Sequence, residues 1–310
     1  MRTCAFLTTD DLEGYVQDDD LLHSPMGDLG WRVDSVPWRR RGVDWRRYDL
    51  VVIRSTWDYQ HDPDAFLDVL GRIEASGTPL ANDLGLVRWN HRKTYLRELE
   101  SRGVPIVPTV WGHDLDDATL GTLHRDLGGG IVVKPVIGAS AGDTFRLPGD
   151  PDPAQSARAC AALLGRDFMA QPFMKAIVDE GEFSLFYFAG ELSHGVLKTP
   201  ARGDFRVQEE HGGRLRAVTP EPRLRQRAEA VLGALPSPPV YARVDLVRSA
   251  GSGGGDDDFL LMEVELIEPS LYLRLDDGAP GRFARALDLA FRTGRPGSAP
   301  HDESSSGGTP

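Results

Sequence analysis

Three carboxylates and a guanidinium recur at alternating positions in one stretch, Tyr241 to Pro269, YARVDLVRSAGSGGGDDDFLLMEVELIEP. Two runs rich in Val, Leu and Phe flank a glycine- and aspartate-rich turn, the pattern of a β-hairpin with a long loop. Side chains alternate faces along a strand, so Arg243 and Asp245 share one face of the first strand, and Glu263 and Glu265 share one face of the second. Matched faces bring all four together. The two glutamates would stand ~6–7 Å apart, a spacing that suits one hard cation or a pair of cations bridging phosphate oxygens. A solvent-facing acidic strand is the alternative. It is weakened by the flanking Leu261, Met262, Val264, Leu266 and Ile267, because acids on a core strand need a cation.

Lysine usage adds candidates, since only Lys93, Lys134, Lys175 and Lys198 of the 35 basic residues are lysine. Lys134 ends the apolar run that starts at Ile131, and a small-residue loop, Gly138 to Gly142, follows it. Backbone N–H groups of such a loop can approach phosphate oxygens closely, and the lysine adds a point charge. Two other phosphate-binding motifs are excluded: no Gly-Lys-Ser/Thr follows a glycine loop, and no G-x-G-x-x-G follows the first strand. The eight histidines show no ligand spacing, which argues against a zinc site, and no catalytic-cysteine signature is present.

Composition narrows the class further. A chain of 310 residues, 40% apolar and 26% charged, can build two or three lobes with sizeable cores. The net charge of −12 argues against nucleic acid or an anionic membrane as the main partner. No segment approaches a membrane span and the N-terminus lacks the apolar core of a signal peptide. Cys4 and Cys160 read as buried free thiols, so a cytoplasmic protein is expected. A homo-oligomer is compatible with the composition.

The elements that must position these residues fall into an α/β lobe followed by α+β lobes. Runs at Thr3 to Thr9, Trp31 to Trp38 and Asp49 to Tyr59, with a short fourth strand in Pro79 to Asp83, predict a small parallel sheet. Ligands gather at the carboxyl ends of such strands. Arg54, Ser55, Thr56, Trp57, Asp58 and Tyr59 follow the third strand; they offer both charge signs and aromatic walls, which suits an amino-acid head group. Arg54 is the expected grip on a substrate carboxylate, with a sheet-capping pair to Asp58 as the alternative. Asp62 and Pro63 predict a helix start, as does Asn90 for a helix burying Tyr95, Leu96 and Leu99. The expected domains are residues 1–88, 89–170 and 171–293, with a disordered tail over 294–310 that is too polar to bury apolar surface.

Taken in order, these motifs resemble the ATP-grasp ligases, with glutathione-synthetase-like members most similar between Met169 and Thr199. RSTWDY, VRWNHRKTYL, GDFRVQ and YARVDLV together resemble the branch containing the D-cycloserine-forming ligase of antibiotic biosynthesis. The resemblance implies an ATP-grasp fold behind an N-terminal parallel-sheet domain, with ATP and one or two Mg2+ ions as cofactors. It implies that Lys93 and Lys134 hold the nucleotide phosphates, that Gly138, Ala139 and Ser140 belong to their flexible cover, and that Gln171, Pro172, Phe173 and Met174 read adenine through their backbone. Glu180 would be the ribose-binding acid, with Glu182 a near-equal candidate. Asp245, Glu263 and Glu265 would ligate magnesium, although many members carry asparagine where Glu265 stands. Arg243 would steady the transferred phosphate, and Arg206 and Lys198 would be further catalytic cations.

The expected activity is an ADP-forming carboxylate–amine ligase acting through an acyl phosphate on a small amino-acid-like substrate, with intramolecular ring closure favoured. An intermolecular peptide ligase and an ATP-dependent small-molecule kinase are the competing readings. Phosphoryl transfer to a carboxylate brings two anions together, which is why cations dominate the candidates and no histidine base is needed.

Overall fold

Apolar runs separated by capped helices fold as βα units in a computed structural model that describes residues 1–139, 141–249 and 258–294. The first lobe comprises β1 (Arg2–Thr8), α1 (His23–Asp28), β2 (Trp31–Pro37), β3 (Leu50–Ser55), α2 (Pro63–Ala75) and β4 (Leu80–Ala81). Its four strands are parallel in the order β2-β1-β3-β4. Every residue of β3 is buried, as expected of a central parallel strand covered on both faces. Asp62 caps α2 by accepting from the Ala65 N–H, with Pro63 at the first position, and Phe66, Leu70 and Ile73 point inward.

The chain then forms α3 (Leu84–Asn90) and α4 (Tyr95–Ser101). The sequence reading missed α3, which Asp83 caps through Leu86 N; the boundary set after residue 88 falls inside it. Asn90 does not cap the next helix: it ends α3 and is buried, and Thr94 precedes α4. Its amide instead donates to the Val264 carbonyl and accepts from the Leu266 N–H, at 2.9 and 3.0 Å. Asparagine serves both purposes, and local sequence does not distinguish a cap from a clamp on a distant strand.

A middle lobe follows with β5 (Val110–His113), α5 (Asp117–Leu127), β6 (Ile131–Pro135), β7 (Phe145–Leu147), α6 (Pro153–Leu163) and β8 (Asp167–Pro172). Its antiparallel sheet runs β5-β8-β6-β7, and Leu120, Leu123, Ala159 and Leu163 from its helices pack on Ile131, Val133 and Phe168. Gly112 is required there, since a Cβ would meet the Phe168 ring at 2.3 Å.

The last lobe contains α7 (Ala176–Asp179), β9 (Glu182–Phe188), β10 (Glu191–Thr199), β11 (Arg214–Val218), α8 (Pro222–Gly233), β12 (Tyr241–Arg248), β13 (Phe259–Glu265) and α9 (Ala279–Thr293). The order β11-β10-β9-β12-β13 is antiparallel throughout. Ala189 and Gly190, both at positive φ, form the tight β9–β10 turn, the left-handed pair that a two-residue hairpin demands. Residues 203–208 are not a strand; the Asp204 carboxylate gathers the Phe205 and Arg206 N–H groups into a turn. Helix α9 closes the molecule, with Phe283 and Leu287 entering a core shared with Phe6, Leu50 and Val52 of the first sheet.

Cys4 is fully buried, whereas Cys160 is only partly so; neither is in a disulfide. Among the described residues no helix is long and apolar enough to cross a membrane. The expected tail beyond Gly294, the tip of the metal hairpin over residues 250–257 and Ser140 lie outside the described residues.

Candidate active site

The register of the hairpin brings the predicted acids together: Arg243 pairs with Glu265 and Asp245 with Glu263 across β12 and β13. All four line one cleft between the middle and last lobes. The Arg243 guanidinium binds Asp245 at 2.9 Å and also pairs with Glu265. Lys198, from β10, is 2% exposed and reaches Glu182 at 2.5 Å and Asp245 at 3.4 Å. Ser184 donates to Asp245 at 2.5 Å. Lys93 pairs with Glu263 and donates to the Gly138 carbonyl at 3.2 Å. Alternating cations and acids thus make one buried network.

Its electrostatics follow from burial opposed by partners. Burial works to raise Asp245, but Arg243 and Lys198 outweigh it and hold the carboxyl at about 2. Burial also raises Glu263, yet Lys93 and Lys134 bring it below the usual value. Glu265 is pushed up to about 7, because burial and the neighbouring Glu263 and Asp245 together exceed the pull of Arg243. Lys134 forms no ion pair with a described residue, and burial lowers its pKa.

The cleft has a polar end and an apolar end. Gln171, Pro172, Phe173 and Met174 line it, as do Val132, Ile177, Val207 and Met262. Phe173 is held by a hydrogen bond from its N–H to the Gly130 carbonyl at 2.8 Å and by the Arg146 guanidinium 3.7 Å over its ring. These side chains form the less polar wall of the cleft, and Gly138 and Ala139 also line it. Glu182 lines the cleft but faces Lys198. Glu180 lies outside the lining, its carboxylate held by Arg248 at 2.8 and 3.0 Å.

The acceptor residues predicted after β3 are divided by the structure. Trp57 and Tyr59 line the cleft, and the Trp57 indole donates to the Glu268 carbonyl at 2.9 Å. Arg54 does not reach it. Its guanidinium is buried against Asp19 at 2.9 Å, and Ser55 donates to the same carboxylate. Thr56 is fully buried. Asp58 is not the partner of Arg54; it accepts from the Trp38 indole and from Arg39. The partner was illegible because Asp19 sits 35 residues away, at the start of a single 3-10 turn, Asp19–Leu22. Arg54→Met is therefore expected to lower stability by about 3 kcal/mol, the cost of stranding a buried carboxylate, with nucleotide affinity unchanged. Denaturant titration beside nucleotide binding checks this. Arg206 lines the cleft with its guanidinium held by Asp204 at 2.7 Å.

Among the lining residues not singled out from sequence, two stand out. Glu268 and Tyr272 follow β13 and close the cleft beside Trp57. Tyr272 has a φ of 45°, a left-handed conformation that is costly for an aromatic residue and concentrates at functional sites. The signal for Glu268 was its place at the exit of a buried strand, ahead of Pro269.

The lysines, acids and arginine around one interlobe slot define an ATP-grasp ligase, an ATP-dependent enzyme that forms a C–N bond. Residues 4–82 match the family model described as D-cycloserine synthetase DcsG, N-terminal domain. The cycloserine biosynthesis protein DcsG of Streptomyces lavendulae is 32% identical over 279 residues, 83% of this chain and 86% of that protein. The chain belongs to this family. The crystal structure of D-cycloserine synthetase DcsG superposes with a TM-score of 0.81 at 29% identity, covering 93% of this chain and 99% of that one. The ATP-grasp ligase PsnB complexed with minimal precursor, Mg and ADP shares the fold at a TM-score of 0.61 and 13% identity, over 93% and 98% of the two chains.

Proposed function

We propose that the protein uses Mg-ATP to activate the carboxylate of a small amino-acid-derived substrate as an acyl phosphate, and that an amine of the same molecule then closes a ring of the D-cycloserine type. The observation that carries this reading is the convergence of Lys93, Lys134, Lys198 and Arg243 with three acids at one end of an apolar slot. A substrate carboxylate oxygen attacks the γ-phosphorus and ADP leaves. The amine nitrogen then attacks the acyl carbon, phosphate departs, and the amine loses a proton. Lysines and arginine offset the charge on the transferring group. The hard oxygen donors Asp245, Glu263 and Glu265 fit magnesium, one ion or two, which would neutralise phosphate oxygens there. Their carboxylates now face Lys93 and Arg243, and no group of three acids is gathered into a ligand shell among the described residues.

Ring closure needs one organic pocket, because attachment gives the amine a high effective concentration. The recess beyond Trp57 and Tyr272, lined by Asp19, Arg54 and Arg274, has a volume of about 10 Å³, room for about one water and not for a second substrate. Hydroxylamine added to a turnover mixture should give a hydroxamate of the substrate, and the product should have the mass of a single cyclised molecule. ADP release that needs two organic substrates, joined with loss of water, would refute cyclisation and leave the ligase chemistry standing. ADP release with a phosphorylated alcohol and no hydroxamate would make the protein a kinase.

A further inference from the structure

We infer that Glu268 holds the ammonium group of the substrate and so selects amino-acid-like molecules over analogues that lack the amine, an assignment that rests on the ring-forming reading above. Every other acid of the cleft except the exposed Glu210 has a cationic partner: Glu182 has Lys198, Asp245 has Arg243, Glu263 has Lys93 and Glu265 has Arg243. Glu268 is 9% exposed, lines the same cleft, and its carboxyl has no hydrogen bond or ion pair with any other described residue. Its own backbone N–H is its one hydrogen-bond donor; a buried carboxyl without a paired cation is unfavourable, so its retention inside a ligand cleft points to a cation that arrives with the ligand.

The position fits that role. The backbone of Glu268 is anchored by the Trp57 indole at its carbonyl, which joins the exit of β3 to the exit of β13. Of the charged groups acting on it, Glu265 and Glu263 are like charges and Lys93, already paired with Glu263, is the cation. A substrate carboxylate is repelled from this end and drawn toward Arg243 and Lys198, and an ammonium is drawn to it. A zwitterion is thereby oriented with its reacting carboxylate at the phosphate end. Burial pushes the Glu268 carboxyl up to about 8, with Glu265 adding to the shift. An acid held neutral in the free protein becomes an anion when a cation is placed beside it.

The test compares two rings, D-cycloserine and isoxazolidinone, which is the same ring without its amine. Binding of each is measured by calorimetry in the presence of Mg-ADP, with wild-type protein, E268Q and E268D. Wild-type protein should prefer the amine-bearing ring by at least about tenfold, E268Q should bind the two within about threefold, and E268D should recover part of the preference. Mg-ADP affinity should stay within about threefold throughout. E268Q that keeps the full preference overturns the assignment. So does E268Q that weakens Mg-ADP tenfold with the preference intact, which would place the residue in the metal site. Wild-type protein that binds neither ring overturns the ring-forming reading and this assignment with it, whereas a hydroxamate in the trapping assay together with an unchanged preference in E268Q overturns this assignment alone.

Discussion

Glu263→Gln is expected to lower turnover roughly a thousandfold at saturating magnesium while leaving the melting temperature near that of the wild type. Loss of one carboxylate ligand removes several kcal/mol of transition-state stabilisation, and ~1.4 kcal/mol is tenfold in rate. The fold should survive because glutamine can still accept a hydrogen bond from Lys93, the present partner of Glu263. Steady-state kinetics over a magnesium series, beside thermal unfolding, decides the matter. Turnover equal to wild type at saturating magnesium would remove Glu263 from the metal site.

Arg243→Met is expected to act on stability as well as on rate. The guanidinium is the shared partner of Asp245 and Glu265, and removing one member of a buried ion network costs about 3–5 kcal/mol because the acids it leaves are uncompensated. Asp245 keeps Lys198 and Ser184; Glu265 pairs with no other cation among the described residues, so it dominates the loss. The pH dependence has a definite sign. Burial holds the Glu265 carboxyl near 7 in the wild type, above its unfolded value, and removing Arg243 raises it further. A native state that retains a proton longer than the unfolded chain is favoured at low pH and loses that advantage as pH rises through the folded pKa. The variant's deficit should therefore be larger at pH 8 than at pH 5. Denaturant titrations at the two values measure it, and an equal deficit at both would show that the lost guanidinium was not compensating Glu265.

The hairpin was legible because its information is local. A period of two and a glycine-rich turn fix which side chains share a face, and the structure pairs Arg243 with Glu265 and Asp245 with Glu263 accordingly. The strands of the first sheet were legible for the same reason. Arg54 faces Asp19 because of a pairing across 35 residues that local sequence does not show. Asn90 was misplaced because its real partners, Val264 and Leu266, lie more than 170 residues away. Glu268 was visible at the exit of the strand, ahead of Pro269, but that place alone gave it no role. What distinguishes it is a buried carboxyl with no paired cation, which only three-dimensional packing reveals.

The core shared by the first sheet and α9 bears on how the chain is made. Cys4, Phe6, Leu50 and Val52 bury the same cluster as Phe186, Tyr241, Phe283 and Leu287, so residues more than 200 positions apart complete one another. During synthesis the parallel sheet emerges first with Leu22 and Met26 of its own lobe on that face, and the rest of the cover, from Phe186 to Leu287, arrives later. Contacts of such sequence separation form late and leave apolar surface exposed meanwhile. The lobe that looks most self-sufficient in sequence is thus one whose core is completed only when Ala279 to Thr293 are added.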